Sequence, residues 1–188
     1  MRIDIEIQQG KTFNYGIKLS EKEIIYKSIA DIACRAPVRL TINNHNMPDE
    51  WPVSISNIKR PVELNTERPV VATVIDENTI EINSIALPCG KSYFGCGVIS
   101  YYKPYDLDNI VFRGTIRPLV YSEKIFYHWD DIEVSRDKSM IILNIPSSIT
   151  SSFDWCNGVY DIEALMPNGD IIPIVYPSKV IVNQMVTK

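Results

Sequence analysis

The chain has 188 residues, of which 45% are hydrophobic, 22% charged and 10% aromatic. This is the composition of a folded globular protein and excludes intrinsic disorder. A formal net charge of −4 with no Lys/Arg-rich block argues against a nucleic-acid partner, and no run approaches the ~18 apolar residues of a membrane-spanning helix.

The predicted elements are strands from end to end. The opening stretch MRIDIEIQQG alternates, with Ile3, Ile5 and Ile7 on one side and Asp4, Glu6 and Gln8 on the other. It has no apolar leader core, which predicts synthesis in a cytoplasm. Residues 5–19 read as two strands with Gly10 as the bend between them. Alternation returns in VRLTI at 38–42, WPVSISNI at 51–58, VVATVID at 70–76 and NTIEINSI at 78–85, the last two joined by a DENT turn at 76–79. YYKPYDLDNIVFRGTIR at 101–117 reads as a turn leading into a strand. DKSMIILNI at 137–145 is another strand, and the polar SSITSSFDW at 147–155 a short helical turn or loop. GVYDIEALM at 158–166 and DIIPIVY at 170–176 flank Asn168-Gly169, the dipeptide most typical of a tight hairpin. A separate final strand, KVIVNQMV at 179–186, closes the chain. The predicted class is all-β and mostly antiparallel, a sandwich or barrel.

The pieces fit a sandwich only if its strands are gathered from distant parts of the chain. The last third supplies about five strands, and an immunoglobulin-type sandwich wants about seven. Residues 5–19 would complete the set, yet they lie far upstream of 101–117. The predicted organisation is therefore a discontinuous immunoglobulin-like β-sandwich, residues 1–26 and 100–188, with 27–99 as an inserted domain. A domain whose ends lie close together can be spliced into a loop at small closure cost.

Four pieces, QQGKTFNYGI, KPYDLDNIVFRGTIR, GVYDIEALMPNGDIIPIVYPSKVIV and the closing MVT, resemble an immunoglobulin-like domain common in bacteriophage tail and neck proteins. Asp108-Asn109 stands where that family has Thr-Gly, and Pro177-Ser178 where it has Gly. In the family the first piece runs almost directly into the second. The insert resembles a small β-barrel module of phage tail proteins, similar in fold to the one inserted in ubiquitin-activating enzymes. The resemblance rests on His45, Val53-Ser54-Ile55, Glu63-Leu64-Asn65 and the strand from Val74 to Ile80. It implies a fold and carries over no ubiquitin chemistry.

No residue pattern specifies catalysis, a cofactor or a metal site, and no GxSxG, HExxH, P-loop or dinucleotide fingerprint occurs. GKSYFGCG at 90–97 lacks the Walker spacing. His45, near Asp49 and Glu50, has no second His nearby and no Cys at ligand spacing, and the resemblance to the small barrel module implies a turn residue whose ring bonds backbone groups. His128, Asp130 and Asp131 hint at hydrolysis. Adjacent residues on a strand point to opposite faces, however, so Asp130 and Asp131 are not expected to converge. Asp106, Asp108 and Asn109 fit a turn better than a Ca²⁺ site. Trp51, Trp129 and Trp155 could stack on sugars but read as core or interface. Cys34, Cys89, Cys96 and Cys156 share no CxxC spacing and are expected as free thiols, although Cys89 and Cys96 could sit across a hairpin.

The resemblance implies a non-enzymatic structural part of a virion, in the tail, the neck or collar, or a head attachment. Its partners would be other virion proteins (portal, adaptor, tail or capsid proteins), in multiple symmetric copies, with no nucleic acid and no membrane. RIDIEI is one candidate for edge pairing with a neighbour, the alternative being that it completes its own sandwich. Two rival readings are a decoration or fibre module binding a host glycan or receptor, and an enzyme built on 128–131.

Overall fold

The computed structural model describes residues 1–87 and 93–185, and the protein in it is all-β. The strands are β1 (Ile5–Gln8), β2 (Phe13–Lys18), β3 (Ser20–Ser28), β4 (Asp31–Arg35), β5 (Val38–Thr41), β6 (Trp51–Ser56), β7 (Val70–Asp76) and β8 (Thr79–Ile82). After these come β9 (Val98–Pro104), β10 (Val111–Arg117), β11 (Tyr127–Trp129), β12 (Glu133–Ser135), β13 (Met140–Ile145), β14 (Asn157–Leu165) and β15 (Ile171–Asn183). One turn of α-helix, α1 (Ser147–Thr150), and a 3₁₀ turn at Val62–Leu64 complete the described elements.

The chain divides into two compact units. The first comprises Met1–Lys18, Leu107–Ser135 and Met140–Lys188, and the second Leu19–Asp106 and Arg136–Ser139. The second unit is therefore wider than the expected 27–99. The reason is hydrogen bonding: β3 pairs with β9 from Ser20↔Pro104 to Ser28↔Val98, and β9 pairs in turn with β6.

In the first unit one sheet has the order β1-β15-β14-β10-β11 and the other β12-β13-β2. The orders β15-β14-β10 and β12-β13-β2 correspond to G-F-C and D-E-B of an immunoglobulin sandwich. Alternation places one side chain in two on the inner faces. Ile5, Ile7, Phe112, Ile116, Tyr160, Ile162, Val180 and Val182 are buried from the larger sheet, and Phe13, Ile17, Ile141, Leu143 and Ile145 from the smaller. Gly114, paired with Trp129, is one place where that packing is close. A Cβ there would lie 3.0 Å from the Asp161 carbonyl oxygen and 3.1 Å from the Trp129 ring.

The N-terminal strand is used within its own chain. β1 runs parallel to β15, with Ile5↔Val180 and Ile7↔Val182 in register. The Tyr160 hydroxyl donates to the Ile3 carbonyl at 2.7 Å, and the Lys179 N–H to Asp4 Oδ1 at 2.9 Å.

Several expected elements changed on folding. The two strands read in 5–19 do form, and Gly10 at φ +73 makes the bend, but they enter different sheets. The strands expected at 170–176 and 179–186 are one strand, β15. Pro177, which has no N–H to donate, lies where its pairing with β14 is irregular between Tyr160 and Ile162, so it bends the strand without ending it. The strand expected from residue 137 begins at Met140. Ser139 before it has φ 46, is buried, and donates its hydroxyl to the Leu19 and Tyr105 carbonyls at 3.1 and 3.0 Å. The Asn168-Gly169 turn has Gly169 at φ +88 and is closed by Met166 N–H to Asp170 O at 2.8 Å.

The second unit holds a seven-stranded sheet of order β3-β9-β6-β7-β8-β5-β4. Its apolar core includes Val38, Leu40, Ile42, Trp51, Val53, Ile55, Ala72, Ile80, Ile82 and Ile99. Among the described residues β3 and β4 are the two ends of this sheet.

Candidate interaction surface

One exposed apolar surface of the first unit is the loop 118–126, PLVYSEKIF, between β10 and β11. Pro118 ends β10 because it has no N–H for the ladder. The loop then turns four large apolar side chains outward: Leu119, Val120, Tyr121 and Ile125 are 69%, 50%, 97% and 50% exposed. A monomer gains nothing from such a cluster, and exposed apolar patches of this kind mark interaction sites.

The loop is held in place from beneath. Arg117 Nη1 donates to the Ser122 and Glu123 carbonyls at 2.8 and 3.3 Å. Charged donors of this sort contribute ~1.5–3 kcal/mol when the partner has no alternative. Ser122 N–H bonds Leu119 O at 3.0 Å, and Phe126 N–H bonds Ile116 O at 2.8 Å. Phe126 stacks on Trp155 with ring centroids 4.4 Å apart and 5° between planes, and Lys124 Nζ sits 5.3 Å from the Phe126 centroid. Trp155 leans in turn on Phe153 at 5.0 Å. A loop ordered in this way loses little conformational freedom on binding.

Beside the loop, the outer face of β10, β11 and β14 is polar. Strand pairing sets Thr115 opposite His128, and Thr115 Oγ1 lies 2.7 Å from His128 Nδ1. His128 Nε2 is 3.4 Å from Asp130 Oδ1, and Arg113 Nη2 is 3.2 Å from Glu163 Oε2. Arg113, Thr115, His128, Glu163 and Asp161 border a depression of about 250 Å³. Burial raises the Asp161 carboxyl above its ordinary range; the negative charge of Glu163 adds to the rise and Arg117 opposes it.

The hydroxyl–imidazole–carboxylate chain has the elements of an activated nucleophile. Asp130, at the end of this chain, is 95% exposed at the side chain. The sequence reading did not find Thr115, because only the β10–β11 register brings it to His128.

The other residues singled out from the sequence fall as follows. β11 ends at Trp129, so alternation does not govern Asp130 and Asp131. Both border one groove of about 480 Å³ together with Glu133, Ile142 and Pro146. His45 is buried, with Nδ1 accepting from Met47 N–H at 3.0 Å and Nε2 against Asp76 O at 2.8 Å. Its own carbonyl accepts the Tyr101 hydroxyl. It clamps a turn. Asn109, at φ 59, sits in a turn with Asp108.

Trp51 and Trp129 are buried and donate to the Tyr102 and Asn144 carbonyls, each at 2.9 Å, while Trp155 is half-buried against Phe126. Cys96 and Cys156 are free and exposed. Cys89, and with it the possible Cys89–Cys96 pairing, lies outside the described residues, as do 90–92 of the 90–97 stretch. Among the described residues no group of three or more His, Cys, Asp or Glu is placed to hold a metal ion. No protein-family model matches the chain, and no curated protein matches it.

Proposed function

We propose that this protein is a non-enzymatic structural component of a bacteriophage virion, in the tail, the neck or collar, or a head attachment. It acts through protein–protein contacts in a symmetric assembly. The observation that carries the contact role is the apolar loop 118–126, anchored by Arg117 and by the Phe126–Trp155 stack while Leu119, Val120, Tyr121 and Ile125 remain exposed. The phage assignment is supported by the sandwich and insert sequence pieces.

The test is the triple variant Leu119→Ser, Tyr121→Ser, Ile125→Ser. All three side chains are at least half exposed, so its melting temperature should stay within about 3 °C of wild type. Its incorporation into particles, measured by quantitative mass spectrometry of purified virions, should fall ~10-fold or more. Normal incorporation of a folded triple variant would overturn the reading.

A further inference from the structure

We infer that β3 is a homodimerisation edge, pairing antiparallel with β3 of a second copy about a two-fold axis through Ile25. This deepens the assembly reading and rests on it for the expectation of repeated copies. β3 is an end strand of its sheet, nine residues long, with a register irregularity against β9 between Ser20 and Ile24 and regular pairing from Ile24 to Ser28, and among the described residues its pairing is with β9 alone. A long free edge is a template for another strand, and proteins that do not use such an edge shorten, cover or charge it.

The side chains of β3 say which strand fits. On its outer face Ile24 and Tyr26 are 42% and 67% exposed, and Tyr102, in register with Ile24 on β9, is 54% exposed. On the inner face Ile25 packs at the margin of the core, flanked by Glu23 and Lys27. Glu23 keeps 64% of its side chain exposed although it lies 3.6 Å from Lys103.

Pairing centred on Ile25 sets Glu23 opposite Lys27 of the other copy, and Lys27 opposite Glu23. On the outer face it sets Ile24 opposite Tyr26 twice, extending the apolar row that Tyr102 begins on each side. Cross-strand pairs of both kinds are favourable. Neighbouring registers that keep the faces matched lose this fit. Centring on Ile24 puts Glu23 against Ile25, centring on Tyr26 puts Lys27 against Ile25, and centring on Glu23 opposes two carboxylates. The charges that would repel an unrelated strand thus become complementary in one register with the strand itself. A two-fold contact of this kind closes after two copies.

The experiment uses the full chain and follows mass against concentration by analytical ultracentrifugation. Wild type should form a reversible dimer. Lys27→Glu and Glu23→Lys each place like charges opposite one another twice and should weaken it ~10-fold or more, while the double exchange Glu23→Lys with Lys27→Glu should recover most of the loss. Hydrogen exchange on the wild-type protein, which needs no variant, should show amides of 22–28 becoming protected as concentration rises through the dimerisation range.

A chain that stays monomeric up to about millimolar concentration overturns the inference, since a contact weaker than that contributes under ~4 kcal/mol. So does a dimer indifferent to both reversals. Either failure, alongside a loop 118–126 variant that still loses incorporation, removes the β3 contact and leaves the assembly role standing.

Discussion

Ile7→Ala tests whether the N-terminal strand belongs to the protein's own sandwich or is held for a neighbour. Ile7 has no exposed surface, stands opposite Val182, and faces the inner side of the five-stranded sheet. The substitution deletes three carbon groups at ~0.8 kcal/mol each and leaves a cavity that the two-sheet packing can only partly close. The expected loss is therefore ~3 kcal/mol, within the 2–5 kcal/mol typical of such truncations. For a unit of roughly 100 residues each kcal/mol moves the midpoint by about 4–8 °C, so the melting temperature should fall by more than ~10 °C. Glu6→Ala, one residue away on the exposed outer face, is the control and should cost no more than ~0.5 kcal/mol. The assay is a thermal melt of the full chain by far-ultraviolet circular dichroism, with hydrogen exchange of β14 and β15 peptides assigning the transition to the first unit. If Ile7→Ala shifted the midpoint no further than Glu6→Ala, β1 would not be docked on β15, and the account of residues 1–8 would be wrong. By the same reasoning, deletion of 1–7 should impair folding before it impairs assembly, because it removes Ile5 and Ile7 together.

Three further outcomes are expected. Tyr101→Phe strips the His45 carbonyl of its buried donor and should cost ~1–3 kcal/mol in urea unfolding; a cost near zero would mean that the His45 turn does not depend on it. The Asp161 carboxyl is raised by burial, so ionising it costs more in the folded than in the unfolded chain, and wild type loses that stability as pH rises from below the unfolded value of ~3.9 through the raised folded value. Asp161→Asn should therefore melt higher than wild type at pH 7, with the gap closing below about pH 3.9, and a gap that widened in acid would refute the assignment. Cys96 and Cys156 should both react with a thiol reagent in the native, unreduced protein, and a failure of either to react would contradict their exposure.

Much of the architecture was legible in the residues because inward and outward side chains alternate along most strands. Val38 and Leu40, Trp51, Val53 and Ile55, and Tyr160, Ile162 and Ala164 are buried in strict alternation. β3 was not legible. Its stretch SEKEIIYKS carries two adjacent isoleucines and four charges, so no apolar period stands out. β11 and β12 escaped for another reason: at three residues each they are too short to display a period. Of the candidate surface, the apolar residues of PLVYSEKIF are plain in the sequence, but their exposure is not, since the same letters would suit a buried strand. Only the Arg117 bonds to Ser122 and Glu123 and the stack on Trp155 show the segment held as a loop with its apolar side chains outward.

The sequence by itself determined the all-β class, through period-two burial, and the Asn168-Gly169 hairpin, through a residue type that adopts φ +88 without steric cost. Tertiary structure decided which strands became neighbours. The parallel docking of β1 on β15, the meeting of Thr115 with His128, the continuity of β15 through Pro177 and the inclusion of β3 and β9 in the second unit all depend on hydrogen bonds between residues far apart in the chain. Alternation tells a strand which side faces inward. It carries no information about which edge lies beside it, because backbone donors and acceptors are the same in every strand.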